Sequence, residues 1–186
     1  NENLCNWVHL PVQSGSDNIL KSMRRGHTID SYKRRIDVIK NSPRDISVST
    51  DIIVGFPNET QQDFEATRQL VQYCQYDSSY IYRYSVRKGT PSSNLSDNVS
   101  FQEKTERFNK KKKTQKAITQ NKLKSCINSI LKVLVERVST KNDCELMGHS
   151  TCHKIVNFKG NSDLLGKIID VRITESTANT LYGVME

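Results

Sequence analysis

One predicted strand constrains the fold of this chain more than any other feature. It runs from Ile46 to Phe56 and ends in the mostly apolar run Asp51–Val54. A strand that is apolar at successive residues has no polar face, so it is expected inside a sheet that is covered on both sides. We therefore expect a parallel sheet with helices packed on its faces.

Helix start signals surround this strand. Ser16, Thr28 and Thr60 each precede an amphipathic segment and are suitable N-caps. A short strand at Val8–Val12 comes before the first of these helices, and another at Ser79–Ser85 follows the third. Alternating strands and helices are typical of a parallel α/β layer, whose right-handed connections place the helices outside the sheet.

The last third of the chain has a different pattern. After Ser129, apolar and polar residues alternate, and further short strands are predicted at His153–Phe158, Lys167–Thr174 and Thr180–Met185. Short strands so close together predict a small antiparallel β-barrel, of the kind often used to bind oligonucleotides. We therefore divide the chain into an α/β region at 1–93, a linker with a basic helix at 94–128, and a barrel at 129–186.

The net charge of +8 is concentrated on one predicted helix. Residues 101–128 carry nine Lys and Arg against two Glu, whereas residues 130–186 carry seven bases and seven acids. A run of lysines is usually a solvated face, but a basic helix beside an oligonucleotide-type barrel favours contact with phosphates. The residues expected to contact RNA are Lys110, Lys111, Lys112 and Lys113.

Composition argues against a membrane-spanning protein and against one whose cysteines form disulfides or bind a metal. No run of about eighteen apolar residues occurs, so no membrane-spanning helix is expected. The five cysteines follow no metal-binding or disulfide spacing, which predicts free thiols, no metal site and a reducing, cytoplasmic compartment. These cysteines are Cys5, Cys74, Cys126, Cys144 and Cys152.

Several segments of the chain together carry a family resemblance. Those in the first half are HLPVQSGS at His9–Ser16, MRRGHT at Met23–Thr28, STDIIVGFPNET at Ser49–Thr60 and YSVRKGTP at Tyr84–Pro91. They closely resemble the radical S-adenosylmethionine (SAM) methylthiotransferases, specifically the MiaB-type tRNA enzymes. The tail resembles the TRAM domain of the same enzymes at Val156–Gly160, Leu165–Thr174 and Asn179–Gly183.

This resemblance implies the carboxyl-terminal half of a radical SAM partial TIM-like barrel, followed by a TRAM-like barrel. It implies SAM and, in the full-length enzyme, two [4Fe–4S] clusters, neither of them ligated by this chain. The cluster-binding region is then expected upstream of residue 1, and the fragment alone is expected to be inactive. The implied reaction converts N6-isopentenyladenosine, in the anticodon stem-loop of tRNA, to its 2-methylthio derivative.

Two turns carry the SAM-binding residues that the resemblance implies. The first matches the turn that contacts the ribose and amino-acid parts of SAM, and the second matches the turn that contacts adenine. They comprise Gln13, Ser14 and Gly15, then Val54, Gly55, Phe56 and Pro57. In the second turn, Asn58 stands where the family usually has Gly, and Asn tolerates the left-handed geometry. Without the resemblance, the first turn is a helix cap and the second an ordinary strand-to-helix turn.

Three arginines lie near these segments. Arg87 follows the last strand of the sheet, where the family places groups that face the substrate. An Arg there can pair with an RNA phosphate or the SAM carboxylate, or it can be a solvated loop charge. Arg24 and Arg25 precede Gly26, which is expected to end the first helix, so we interpret them as surface bases at that helix end. No catalytic residue is identified.

Three other functions remain open. The nearest is a sister methylthiotransferase that acts on threonylcarbamoyladenosine in tRNA, although Met23–Thr28 and Val156–Phe158 look more like the isopentenyl type. The branch that modifies a ribosomal protein typically departs from the pattern at Gln13–Ser16. The last alternative, from a different class, is a non-catalytic RNA-binding remnant without a cluster-binding region.

Overall fold

The computed structural model describes residues 4–139 and 145–186, and the chain divides into two compact units. One comprises His9–Pro43 and Val48–Lys116, and we call it the α/β unit. The other comprises the described residues of Asn1–Val8, Arg44–Ser47 and Ala117–Glu186, and we call it the barrel unit.

The first part of the chain forms a three-stranded sheet with helices, which confirms the predicted parallel layer. The strands lie in the order β1-β2-β3, and β2 and β3 pair in parallel with Val54 opposite Arg83. The strands are β1 (Trp7–His9), β2 (Ser47–Val54) and β3 (Ser78–Arg83). The helices are α1 (Asp17–Ser22), α2 (Ile29–Lys40), α3 (Gln61–Cys74) and α4 (Phe101–Lys124).

The three predicted N-caps are confirmed. The Ser16 side chain accepts a hydrogen bond from the Ile19 backbone, and Thr28 and Thr60 each form a reciprocal capping box. The predicted end of α1 at Gly26 is wrong, because the helix ends at Ser22. The turn after the helix is closed by Arg24, which takes a left-handed conformation with φ +55°.

The core of the α/β unit contains two buried tyrosines besides its aliphatic residues. The Tyr32 hydroxyl donates to the Leu10 carbonyl at 2.7 Å, and the Tyr76 hydroxyl donates to the Tyr32 hydroxyl at 3.1 Å. Burial raises the pKa of Tyr32 to about 12 and raises that of Tyr76 as well. These hydrogen bonds satisfy polar groups that would be costly to bury alone.

The barrel unit contains a closed barrel of five strands in the order β4-β5-β6-β8-β7. Its core is formed by inward residues of all five strands together with Leu123 of α4. The predicted small barrel is confirmed, except that β6 and β8 pair in parallel and the other pairings are antiparallel. The strands are β4 (Ile130–Val138), β5 (Glu145–Ser150), β6 (Ile155–Lys159), β7 (Ile168–Ser176) and β8 (Leu181–Met185).

Strand β5 was not predicted from the sequence. Its sequence, ELMGHS, has no apolar alternation. Gly148 is required within it, because a Cβ there would lie 2.0 Å from the Leu134 carbonyl oxygen. His153, predicted as the first residue of a strand, lies instead in the turn that follows β5. Among the described residues, no helix is both long and apolar enough to cross a bilayer.

Candidate functional site

A cavity of about 650 Å³ lies in the α/β unit beside the carboxyl ends of β2 and β3. It is lined from four directions, by the segment after β1, the end of α1, the turn after β2 and the loop after β3. Residues that line it include Gln13, Arg25, Phe56, Tyr82 and Arg87. In α/β folds, this end of the strands is where ligands usually bind.

Gln13 reaches the cavity because its backbone extends the sheet beyond β1. Its N–H donates to the Asp51 carbonyl at 2.8 Å, and its carbonyl accepts from the Ile53 N–H at 2.9 Å. The residue has φ +72°, a left-handed conformation that is uncommon for a side chain other than glycine. Backbone strain of this kind is often found at functional positions, and Gln13 is one of the residues that line the cavity.

Ser14 and Gly15, predicted beside Gln13, do not line the cavity but face α3. The Gly15 N–H donates to the Thr67 hydroxyl at 2.8 Å, and the Ser14 hydroxyl lies 3.5 Å from the same oxygen. A Cβ on Gly15 would lie 2.4 Å from the Thr67 Cα. The glycine therefore permits close packing of α3, whereas the family resemblance implied that it belongs to a SAM-binding turn.

The turn after β2 presents one of its predicted residues to the cavity. Phe56 lines it and packs edge-to-face against Tyr84, with ring centroids 5.0 Å apart. Val54, Gly55 and Pro57 are buried and are not among the lining residues. Asn58 has φ +65°, which is the left-handed geometry expected where the family usually has glycine.

Gly55 and Glu59 of this turn are held by helix α4. The Gly55 N–H donates to the Glu59 carboxylate at 2.7 Å, and Arg107 donates to the same oxygen at 2.7 Å. A Cβ on Gly55, whose φ is +70°, would lie 2.3 Å from the Lys104 stem. Burial raises the pKa of Glu59, while the hydrogen bond from Gly55 and the charge of Arg107 oppose this shift. The Lys104 ammonium pairs with Asp97 at 2.6 Å.

The prediction that all four lysines of the run on α4 contact RNA is wrong at one position. Lys110, Lys112 and Lys113 are exposed, but Lys111 is fully buried and its ammonium hydrogen-bonds to none of the described residues. The buried face of α4 includes Lys104, Arg107, Lys111 and Gln115. Helical periodicity places these residues on one side, so Lys111 cannot contact RNA from this position. Burial lowers its pKa to about 7, although the nearby Cys74 acts in the opposite direction.

Arg24 and Arg25, interpreted from the sequence as surface bases, line the cavity together with Arg83 and Arg87. No pattern in the sequence indicates this, because their position depends on how α1 packs relative to β3. The predicted residue Arg87 lies in the same lining, together with Gln13 and Phe56.

No group of three or more His, Cys, Asp or Glu side chains that could bind a metal ion is found within residues 4–139 and 145–186. Cys74 is buried, and its burial raises the pKa of the thiol. Cys144, one of the cysteines expected to be free, lies outside the described residues.

Comparison with known proteins agrees with this architecture. Residues 1–71 match the radical SAM superfamily, and residues 124–185 match the TRAM domain. A protein of Yersinia pestis (strain Pestoides F), named tRNA-2-methylthio-N(6)-dimethylallyladenosine synthase, is 44% identical over 185 residues, or 98% of this chain. The protein of the same name from Yersinia enterocolitica serotype O:8 / biotype 1B is 42% identical over the same length. The chain spans 38% of the length of these curated relatives.

Proposed function

Since this chain belongs to the radical SAM methylthiotransferase family and ends in a TRAM domain, we propose that the complete protein converts N6-isopentenyladenosine in tRNA to its 2-methylthio derivative. The modified adenosine is the one next to the anticodon. The collinear similarity to two synthases with this reaction in their name supports the choice of base. The proposed compartment is the cytoplasm.

One observation carries the proposal. Gln13, Phe56 and Arg87 come from three different turns, and they line one cavity. Its volume of about 650 Å³ falls within the range of ~300–1,000 Å³ that is usual for small-molecule sites.

The lining fits the adenosyl part of SAM in chemical terms. Phe56 and Ile53 offer an apolar surface to a flat purine, and the Gln13 amide can both donate and accept hydrogen bonds with sugar hydroxyls. When bound, one SAM would supply the methyl group and another the 5′-deoxyadenosyl radical that removes the C2 hydrogen of the base, while the sulfur atom that joins C2 to the methyl group would come from the second cluster.

The residues of this chain have supporting roles in this scheme. Gln13 and Phe56 hold and orient the cofactor, and the surrounding walls exclude water from the reacting base. Ser14 and Gly15 hold the first cofactor turn against α3, and Gly55 holds the second against α4. Val54 and Pro57 are buried in the second turn and support its shape. The two [4Fe–4S] clusters are held by residues outside this chain, so the chain alone is inactive.

The RNA is held by two further features. The TRAM barrel binds the anticodon stem-loop by its shape and its unpaired nucleotides, as small barrels often do. Lys110, Lys112 and Lys113 contact its phosphates from the exposed side of α4. The target base must leave its stack to reach a cavity inside the protein.

Mass spectrometry of tRNA nucleosides tests this function. A strain that lacks the gene should accumulate N6-isopentenyladenosine without the methylthio group, and the intact gene should restore the modified form. A Gln13→Ala variant of the complete protein tests the site, and it should restore the methylthio nucleoside poorly. If the strain that lacks the gene instead loses the methylthio derivative of threonylcarbamoyladenosine, the protein is a methylthiotransferase of the sister type. An unchanged nucleoside profile would favour a non-catalytic RNA-binding protein.

A further inference from the structure

The cavity of the α/β unit is strongly basic. Four arginines line it, Arg24 and Arg25 from the turn after α1 and Arg83 and Arg87 from the end of β3 and its loop. Among the described residues, Asp51 is the one carboxylate in the lining. Asp51 already has a partner, since its side chain lies 3.4 Å from the His9 ring. The positive charge of this cavity is therefore largely uncompensated by the described residues around it.

One of these arginines has a clear structural role. The Arg83 guanidinium donates to the Thr105 hydroxyl at 3.1 Å and lies over the Phe101 ring, so it fastens β3 to α4. Arg24, Arg25 and Arg87 are exposed. Their guanidinium groups form no hydrogen bond or ion pair with the described part of the chain. Three cations are thus available to a ligand.

Arg24 occupies a position where glycine is normally preferred. Helix α1 ends with the Arg25 N–H donating to the Leu20 carbonyl and the Arg24 N–H donating to the Lys21 carbonyl, both at 2.9 Å. This pair of bonds requires a left-handed residue, which glycine adopts without strain and Arg24 adopts with φ +55°. An arginine here makes the fold less stable than glycine would. Folding therefore does not explain this residue, and we infer that it has a functional role.

The charge of the proposed cofactor does not explain these cations. SAM combines a sulfonium, an ammonium and one carboxylate, and so carries a single positive charge overall at neutral pH. RNA carries one negative charge for each nucleotide, and an extruded nucleotide brings a phosphate on each side to the mouth of the pocket. The planar fork of Arg suits bidentate binding to phosphate.

We propose that Arg24, Arg25 and Arg87 bind the RNA phosphates that flank the nucleoside entering the cavity. The inference rests on the proposed function, because it assumes that this cavity receives the target base. It adds a phosphate-binding site at the cavity mouth that is separate from the lysines of α4. The three arginines are then substrate-binding residues and take no part in bond breaking.

The substitution Arg24→Gly separates binding from folding. Glycine suits the left-handed position, so the variant should melt at or above the temperature of the unaltered complete protein. Its affinity for an anticodon stem-loop RNA that contains isopentenyladenosine should fall about five- to tenfold at low salt. The slope of log affinity against log salt should become shallower by about 0.7 for each phosphate that the variant no longer binds.

Two further substitutions and one control complete the experiment. Arg25→Gln and Arg87→Gln should reduce the affinity and the salt slope as Arg24→Gly does. Arg35→Gln removes another exposed charge, from α2, which contributes no described residue to the lining, and should change neither quantity. An unchanged salt slope in the Arg24, Arg25 and Arg87 variants would overturn the proposal.

Two more measurements separate this inference from the function on which it rests. SAM affinity should be the same in the variants and in the unaltered protein. Weaker SAM binding with an unchanged RNA slope would assign the arginines to the cofactor carboxylate and overturn the proposal. If the protein yields no methylthio product but the salt slope of the variants is still reduced, the reaction is overturned and the phosphate contacts are supported.

Discussion

The Arg107 guanidinium donates to both the carboxylate of Glu59, at 2.7 Å, and its backbone carbonyl, at 2.9 Å. The two side chains are 7% and 0% exposed, so this ion pair lies inside the α/β unit. The same carboxylate oxygen accepts the Gly55 N–H. Arg107 of the basic helix α4 therefore fixes the turn that carries Phe56 into the candidate cofactor cavity.

Removing one partner of this pair should be costly. Arg107→Met leaves the Glu59 carboxylate buried without its cation, and we expect the free energy of unfolding to fall by about 3–5 kcal/mol. The double variant Arg107→Met, Glu59→Met should recover part of this stability, because both charges are then absent. Urea unfolding measures the free energy of unfolding of the single and the double variant. The exposed pair formed by Arg34 and Asp30 is the control, and Arg34→Met should change stability by less than about 1 kcal/mol. An equally small effect at Arg107 would contradict a structural role for the pair.

The buried amine of Lys111 should make stability depend on pH. Its pKa is lowered to about 7, compared with 10.5 for the ordinary group, mainly by desolvation. Between these values the unfolded chain binds the proton and the folded chain does not, so this group adds stability as pH rises through that window. Below about pH 7, the folded protein carries a buried charge and the full penalty applies.

Lys111→Met should therefore stabilise the protein, by about 2 kcal/mol or more at pH 6 and by less as the pH approaches 9. Unfolding in urea at several pH values measures the difference between the variant and the unaltered protein. Lys112→Met, at the exposed neighbouring position, should show no such trend. A Lys111→Met variant that is less stable at pH 6 would refute a destabilising buried amine.

Gly15 should be required for the packing of the turn against α3, whether or not it also contacts a ligand. In Gly15→Ala the new methyl group meets the backbone of Thr67 at 2.4 Å, and we expect stability to fall by about 2 kcal/mol or more. Gly26→Ala is a matched control, because no atom lies within 4 Å of the Cβ it would add. Thermal unfolding distinguishes the two. If Gly15→Ala folds as well as the control and weakens only SAM binding, the ligand interpretation is correct.

The exposed lysines of α4 should contribute to RNA affinity without contributing to folding. Replacing Lys110, Lys112 and Lys113 by Gln should weaken tRNA binding and reduce its salt dependence, by up to about 0.7 in slope for each phosphate contact. Filter binding or fluorescence anisotropy across a salt series measures this. The control is a second triple variant, in which Lys33, Arg34 and Arg35 of α2 are replaced by Gln. It removes the same charge and should leave the salt slope unchanged. Equal effects of the two triple variants would mean that only net charge matters.

Local features of this chain were predictable from the sequence, and features set by packing were not. Ser16, Thr28 and Thr60 could be assigned as N-caps, because a cap bonds to residues two or three positions away. The pairing of Glu59 with Arg107 joins residues 48 positions apart, and no local pattern indicates it.

The same distinction explains the errors at the candidate site. The lysine run was visible in the sequence, but burial of Lys111 depends on the direction in which α4 faces the α/β core. Arg24 was assigned to a helix surface because glycine at position 26 was the obvious helix end. In the structure, the left-handed residue is Arg24 itself, and it lies in the lining of the cavity.

A structure of the complete, cluster-loaded protein with SAM bound tests the central claim most directly. We predict that the adenosyl group lies in the cavity beside β2 and β3, in contact with Phe56 and hydrogen-bonded to Gln13. SAM bound elsewhere, with this cavity empty or filled only by protein side chains, would contradict that claim.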